Sequence, residues 1–356
     1  MKSSIKKNKK SFLIMALLIF ILFLFIKYPE IIGSGVKDGL TLLGTTLIPS
    51  LFPFMVVSSF ISDNRLVETL IQKVDKFSKK LFKTSGNGVL AFFLGVLGGY
   101  PVGAKTIAEN FRQKRISQNE AERLFYWCIT PSFSFAVTAV GTFMLNSTSL
   151  GIIIYTSCIL SSLTIGILCR FLSDNSYAEA SQSYIPQDNV QLLVDSVKNG
   201  IDGMLGISGW VLLFSGFSEA VNSFNIPPDA KLFIQSVFEV TKGSETVVKN
   251  GLSLPVLSAV VGFSGFAVIC QIITYGKQCN IAIKRLLVSR VLNAVFSCIY
   301  TYIICNIFSI STSVAVTLIS GGAESIALYH SFPAAAILLI MCGVFILEVE
   351  TPKKVC

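Results

Sequence analysis

Leu97-Gly98-Gly99-Tyr100-Pro101-Val102-Gly103-Ala104-Lys105 sets three glycines and a proline in the middle of an otherwise apolar run. Glycine weakens a continuous helix and proline removes a backbone donor, so the segment reads as an interrupted helix. Its free N–H and C=O groups can replace part of the hydration shell of a polar solute. The alternative is close helix packing, for which Gly95 and Gly99 have the small-xxx-small spacing. Candidate solute-binding residues here are Gly98, Gly99, Tyr100, Pro101, Gly103 and Lys105. A weaker copy lies at an offset of 166, where Phe263-Ser264-Gly265-Phe266-Ala267-Val268-Ile269-Cys270-Gln271 repeats the order of small residue, Gly, aromatic and closing polar residue. It adds Ser264, Gly265 and Gln271. Thr130 and Ser132 flank Pro131, whose missing N–H predicts a kink that frees the carbonyl of Trp127; Pro49 and Pro53 act likewise on Thr45 and Pro49. Glu239 and Thr241 offer a carboxylate and a hydroxyl ahead of the second Gly-containing segment, although Lys242-Gly243 also fits an ordinary helix end.

Composition says what must position these groups. Of 356 residues 52% are hydrophobic and 14% charged, with mean hydropathy +0.69, whereas a soluble domain carries about a quarter charged residues. An ordinary soluble enzyme is excluded. The net charge of +9 is bunched between long uncharged runs, which points to membrane topology and not to nucleic acid. The nine cysteines form no CxxC, and His330 is the lone histidine. Neither a zinc site nor a disulfide framework is implied. With no P-loop, paired carboxylates or nucleophile–base pattern, no enzymatic chemistry, cofactor or metal is expected.

Uncharged runs at 11–26, 39–61, 88–104, 124–169, 203–218, 250–276, 291–323 and 325–347 are on the scale of a bilayer crossing. The 124–169 run is long enough for two crossings, with Asn146-Ser147-Thr148-Ser149 as the dividing turn. The fold class is therefore all-α: a polytopic integral membrane protein of about eight or nine hydrophobic elements in two related halves with Gly-interrupted segments. If every element crosses, Lys and Arg are shared evenly between the two sides. If 88–104 enters and returns, the basic loops on both its flanks become cytoplasmic and a strong positive-inside bias appears. A re-entrant or broken 88–104 is thus expected. For 250–276 the charge count favours crossing, whereas symmetry with the first half favours re-entry.

The organisation expected is a basic N-terminal tail and uncleaved anchor (1–38), a first membrane half (39–170), a polar linker (171–198), a second half (199–347) and a C-terminal tail (348–356). The stretches 63–83 and 229–249 carry too many charges to span and read as interfacial amphipathic helices. Lys277 to Arg290 reads as a basic segment between spans. Ser117-Gln118-Asn119-Glu120 is a capping box.

Leu47-Ile48-Pro49-Ser50-Leu51-Phe52-Pro53-Phe54, Gly99 through Lys105, Arg115-Ile116-Ser117 through Leu124, Phe238 through Gly243 and Gly265 through Gln271 together resemble the YlbJ family of sporulation integral membrane proteins, part of the nucleoside-recognition Gate group. The resemblance covers about Leu40 to Leu292. It implies a multi-pass protein of the bacterial inner membrane, N-terminus cytoplasmic, that serves spore formation and binds or passes a small polar solute such as a nucleoside. Cys128-Ile129-Thr130-Pro131-Ser132 and Phe263-Ser264-Gly265 depart from the family pattern, which leaves the solute open. Beside the permease stands a second expectation, a structural or assembly protein of the forming spore without transport. The expected partners are the lipid bilayer and such a solute, with no nucleic acid.

Overall fold

The computed structural model describes residues 25–62, 65–172, 188–224 and 227–310, together with positions 15, 19 and 23. The run 325–347, Glu324, His330 and the C-terminal tail lie outside the described residues, as does most of the run 11–26. Every described element is helical. Pro29 starts α1 (Pro29–Leu42), where its missing N–H costs nothing. A π-helical turn, Leu43–Leu47, leads into α2 (Ile48–Ser62). Then come α3 (Arg65–Phe82), α4 (Gly86–Gly98), α5 (Tyr100–Arg112), α6 (Gln118–Trp127), the π-helical α7 (Ser134–Met144) and α8 (Thr148–Cys169). The remaining elements are α9 (Asn189–Ser223), α10 (Pro228–Phe238), α11 (Val240–Lys249), α12 (Leu254–Phe263), α13 (Gly265–Gly276) and α14 (Ile283–Ile307).

Among the described residues, four stretches are long and apolar enough to cross a bilayer: Thr148–Cys169, Asn189–Val221, Leu254–Cys279 and Ile283–Ile307. Ile71–Phe82 and Gly86–Gly98, set at 90° to each other, make a fifth if counted as one broken span. Among the described residues, the runs 39–61 and 88–104 and the first half of 124–169 are divided into shorter helices. The expected linker 171–198 does not extend to 198, because α9 is already helical from Asn189. Small residues set the closest packing. On α1, Gly35 and Gly39 face α9, and a Cβ on Gly35 would lie 2.6 Å from the Ser215 carbonyl oxygen.

The chain reverses at Gly99. A Cβ built on Gly95 would lie 3.3 Å from the Cα of Gly103, so residues four before and four after the break lie side by side, and α4 and α5 form a helical hairpin. This is the re-entrant geometry expected of 88–104. The tip requires glycine, since Gly99 has φ 91°. A second hairpin is formed by α10 and α11, where a Cβ on Gly243 would lie 2.6 Å from the Cα of Ser236. Its tip is Glu239. The interfacial helix expected over 229–249 is thus two antiparallel helices, and Lys242-Gly243 lies inside α11 instead of ending a helix. The sequence misled because a short hairpin with one charged leg has the same mixed polarity as a surface helix.

Each hairpin is followed by an interrupted helix and then a long one. After α4–α5 the chain runs through α6, an unwound stretch at Cys128–Ser132, and α7, and turns at Asn146 into α8. After α10–α11 it runs through α12, a break at Ser264 (φ 73°) and Gly265 (φ 76°), and α13, and then into α14. The order hairpin, interrupted helix, long helix therefore occurs twice. The offset of 166 pairs the tip of the first hairpin with the break of the second interrupted helix. Both are Gly-containing breaks between apolar helices, which makes them alike in composition although the chain reverses at one and continues at the other.

Candidate solute-binding site

Each hairpin tip sits on the break of the interrupted helix that follows it. A Cβ on Gly99 would lie 3.0 Å from Cβ and 3.2 Å from N of Ser132. A Cβ on Gly265 would lie 3.0 Å from the amide nitrogen of Val240 and 3.2 Å from the Cα of Glu239. Both hairpin tips, the unwound stretch at Ser132 and the first turn of α13 border one cavity with a water-accessible volume of about 60 Å³, several times what a single water needs.

Gly99, Tyr100, Pro101, Ser132, Glu239, Thr241 and Gln271 line this cavity. Residues chosen from four separate places in the sequence are therefore neighbours. Leu47 and Leu51 of the π-turn and α2, Phe135 of α7, and Ile207 and Val211 of α9 complete a largely apolar wall. In the sequence each is an ordinary apolar residue in an apolar run, and nothing marks it as part of a wall. Both π-helical stretches supply lining residues, Leu47 from one and Ser134 and Phe135 from the other, in keeping with the frequent occurrence of π-bulges at functional sites.

The polar groups differ in how free they are. Ser132 Oγ accepts from the amide of Phe135 at 3.1 Å, so it starts the helix after the break. The carboxylate of buried Glu239 accepts from the amides of Thr241 (3.0 Å) and Lys242 (2.7 Å). It caps α11, where the helix dipole favours a negative charge. The amide of Gln271 has no hydrogen-bond partner among the described residues, although the residue is only 5% exposed and borders the cavity. A buried, unpaired amide on a cavity wall is the group best placed to recognise a polar ligand.

Six candidates do not reach the wall. Gly98 and Gly103 serve the hairpin itself: a Cβ on Gly98 would press on Val102, and one on Gly103 on the Cys128 carbonyl. Lys105 donates to the Asn199 carbonyl at 2.6 Å and lies 3.8 Å from Glu109, tying α5 to α9. Thr130, Ser264 and Gly265 lie at the breaks, behind the lining. The hydroxyls of Thr130 and Ser264 are buried without partners among the described residues.

The breaks are braced across the halves. The Tyr100 hydroxyl donates to the Val261 carbonyl at 2.6 Å, which also accepts from the Ser264 amide at the break that ends α12. In the other direction, the two terminal nitrogens of Arg290 on α14 each donate at 2.8 Å to the carbonyls of Ile129 and Tyr126. Arg290 is fully buried. The charge pattern places it in a basic segment before a span at 291, yet α14 begins at Ile283 and carries it two turns inside. The signal missed was the helical periodicity across Arg290, hidden by treating every charge as a loop residue. The capping box also changes partners. Ser117 accepts from the Glu120 amide at 3.2 Å, while the Glu120 carboxylate binds Thr84 Oγ1 (2.7 Å) and the Ser85 amide (2.6 Å), fixing the entry to the first hairpin.

Residues 45–150, which run from the π-turn through the first hairpin and interrupted helix to the start of α8, match the Gate family described as nucleoside recognition. The chain is 26% identical over 341 residues to the sporulation integral membrane protein YlbJ of Bacillus subtilis (strain 168), with 82% of each chain covered. No solved structure matches the chain. The chain is an integral membrane protein with a region that matches the nucleoside-recognition Gate family, and it is similar along most of its length to a sporulation integral membrane protein.

Proposed function

We propose that the protein is a sporulation-related permease or gate of the bacterial inner membrane, N-terminus cytoplasmic, that binds a small polar solute of the nucleoside class. It catalyses no reaction. The observation that carries the proposal is the meeting of both hairpin tips, the unwound stretch after α6 and the first half of α13 at one cavity whose wall bears the Gln271 amide, unpaired among the described residues. Apolar lining such as Leu51, Phe135 and Val211 suits the face of a planar base, and Gln271, Thr241 and the tip backbones suit its polar edge. The similarity to a sporulation protein and the nucleoside-recognition description of residues 45–150 support the same reading.

The test is cysteine accessibility in membrane vesicles, with the partly exposed native Cys270 and Cys298 replaced by serine. Single cysteines at Thr241, Gln271 and Ser132 are expected to react with a water-soluble maleimide and to be protected by a mixture of nucleosides. A cysteine at Ser157, fully buried on α8, should not react. Reactive positions that no nucleoside protects would remove the solute class, and unreactive ones would remove the wet cavity. The second outcome would favour the assembly reading, which has one observation behind it: both Ser132 and Glu239 are already engaged in capping helices.

A further inference from the structure

Arg290 poses a physical problem of its own. A guanidinium buried two turns inside a membrane helix is costly, and such charges normally face a partner of opposite sign. Among the described residues no carboxylate is ion-paired with Arg290. Its compensation is the pair of carbonyls of Tyr126 and Ile129, which flank the end of α6 and the unwound stretch after it. The C-terminus of α6 adds the negative end of a helix dipole. Carbonyls released by an unwound helix, next to a half-helix C-terminus, are the groups with which membrane transporters coordinate a coupling cation. Here they are already occupied by a cation fixed to the chain.

We propose that Arg290 is a tethered cation that permanently fills the cation position at the break between α6 and α7, so that the cavity beside it is assembled without a dissolved Na⁺ ion. The proposal deepens the solute-binding reading and rests on it for its significance, but the site itself is defined by residues that do not line the cavity. Three features of the geometry support it. The positive charge sits between two backbone carbonyls three residues apart, as a cation coordinated by released carbonyls would. The Arg290 Nε has no partner among the described residues, so the side chain is held by the break carbonyls alone. In addition, Tyr100 of the first hairpin reaches across to Val261 near the other break, so a cation holding α6 in place also holds the surface on which the Gly99 tip rests.

The experiment is thermal unfolding of the purified full-length protein in detergent, without any solute, in NaCl and in choline chloride of equal ionic strength. The wild type is expected to melt at the same temperature in both. Arg290→Ala is expected to melt lower in choline and to recover by roughly 3 °C or more in NaCl or methylguanidinium chloride, because a ligand bound only by the folded state stabilises it. Arg290→Lys, which keeps a positive charge, is expected to fold and to ignore Na⁺. A wild type selectively stabilised by Na⁺ overturns the proposal, as does an Arg290→Ala protein indifferent to both added cations. If Arg290→Ala does not fold, Arg290→Lys decides: a lysine variant that also fails shows that the fork shape and not the charge is required, and overturns it. Because no solute is present, failure of the solute-binding reading leaves these outcomes unchanged, and failure here leaves the cysteine protection unchanged.

Discussion

The hydroxyl of Tyr100 and the carbonyl of Val261 lie 2.6 Å apart although 161 residues separate them, and this bond pins the tip of the first hairpin to the interrupted helix of the second half. Both groups are buried, and the Val261 carbonyl, which also accepts from the Ser264 amide at 3.2 Å, thereby ties the break after α12 to the first hairpin. The ring of Tyr100 also forms part of the cavity wall. One residue therefore links the integrity of the halves to the shape of the site.

Tyr100→Phe keeps the ring and deletes the bond. Because the Val261 carbonyl keeps the Ser264 amide as a donor, the substitution is expected to cost about 0.5–1.5 kcal/mol, the net worth of one hydrogen bond, and to lower the melting temperature measurably. Solute protection of a cysteine at Gln271 should weaken as the tip loosens. A variant as stable as the wild type with unchanged protection would show that the hydroxyl is dispensable.

Gly95 and Gly103 face each other across the first hairpin, and a Cβ on either would stand 2.5 Å from the Cys128 carbonyl oxygen. A backbone oxygen cannot rotate away, so Gly95→Ala and Gly103→Ala should each destabilise by roughly 1–3 kcal/mol. Gly206→Ala on α9, where nothing lies within 4 Å of the added carbon, is the matched control and should be close to neutral. Thermal unfolding of the three variants side by side is the check, and equal effects would mean that the three backbones do not converge at Cys128.

Much of this arrangement could be read from the residue types. The glycines and proline at 98–103 marked the first hairpin, and the balance of lysine and arginine around them gave its return to one side. The residues chosen at 99–101, 132, 239, 241 and 271 meet at the cavity because breaks in apolar helices are rare and each leaves a compositional trace. What escaped was anything whose signature is shared with a commoner feature. The α10–α11 hairpin looked like a surface helix, Arg290 looked like the end of a loop, and the unwound stretch at Cys128–Ser132 looked like a proline kink. Long-range partners such as Tyr100 with Val261 or Arg290 with Tyr126 leave no local trace at all.

Glu239 shows how a residue chosen for one role can serve another. Its carboxylate receives two backbone amides at the start of α11, so Glu239→Ala should cost about 0.5–2 kcal/mol, as for the loss of an N-cap. Glu239→Gln keeps an acceptor oxygen and loses the charge that the helix dipole favours, a smaller loss of about 0.3–1 kcal/mol. The ordering of wild type, glutamine and alanine in thermal unfolding is the measurement. Alanine and glutamine variants of equal stability would mean that the carboxylate is held for the solute and not for the helix.

The return of the chain at Gly99 carries a topological consequence that can be read directly in cells. Lys83 precedes the first hairpin and Lys114 follows it, and both have a positive φ in turns outside the helices. With α4 and α5 antiparallel, the two lysines belong to the same side of the membrane. The basic residues around them, Lys73, Lys76, Lys79 and Lys80 on α3 and Arg112, Arg115 and Arg123 beyond the tip, predict that side to be cytoplasmic. Lys83→Cys and Lys114→Cys, each made where other reactive cysteines have been replaced, should both react with a membrane-impermeant maleimide in inverted vesicles and neither in intact protoplasts. Reaction of one from each side would require α4 and α5 to cross as a single span, a geometry in which Gly95 and Gly103 could not touch.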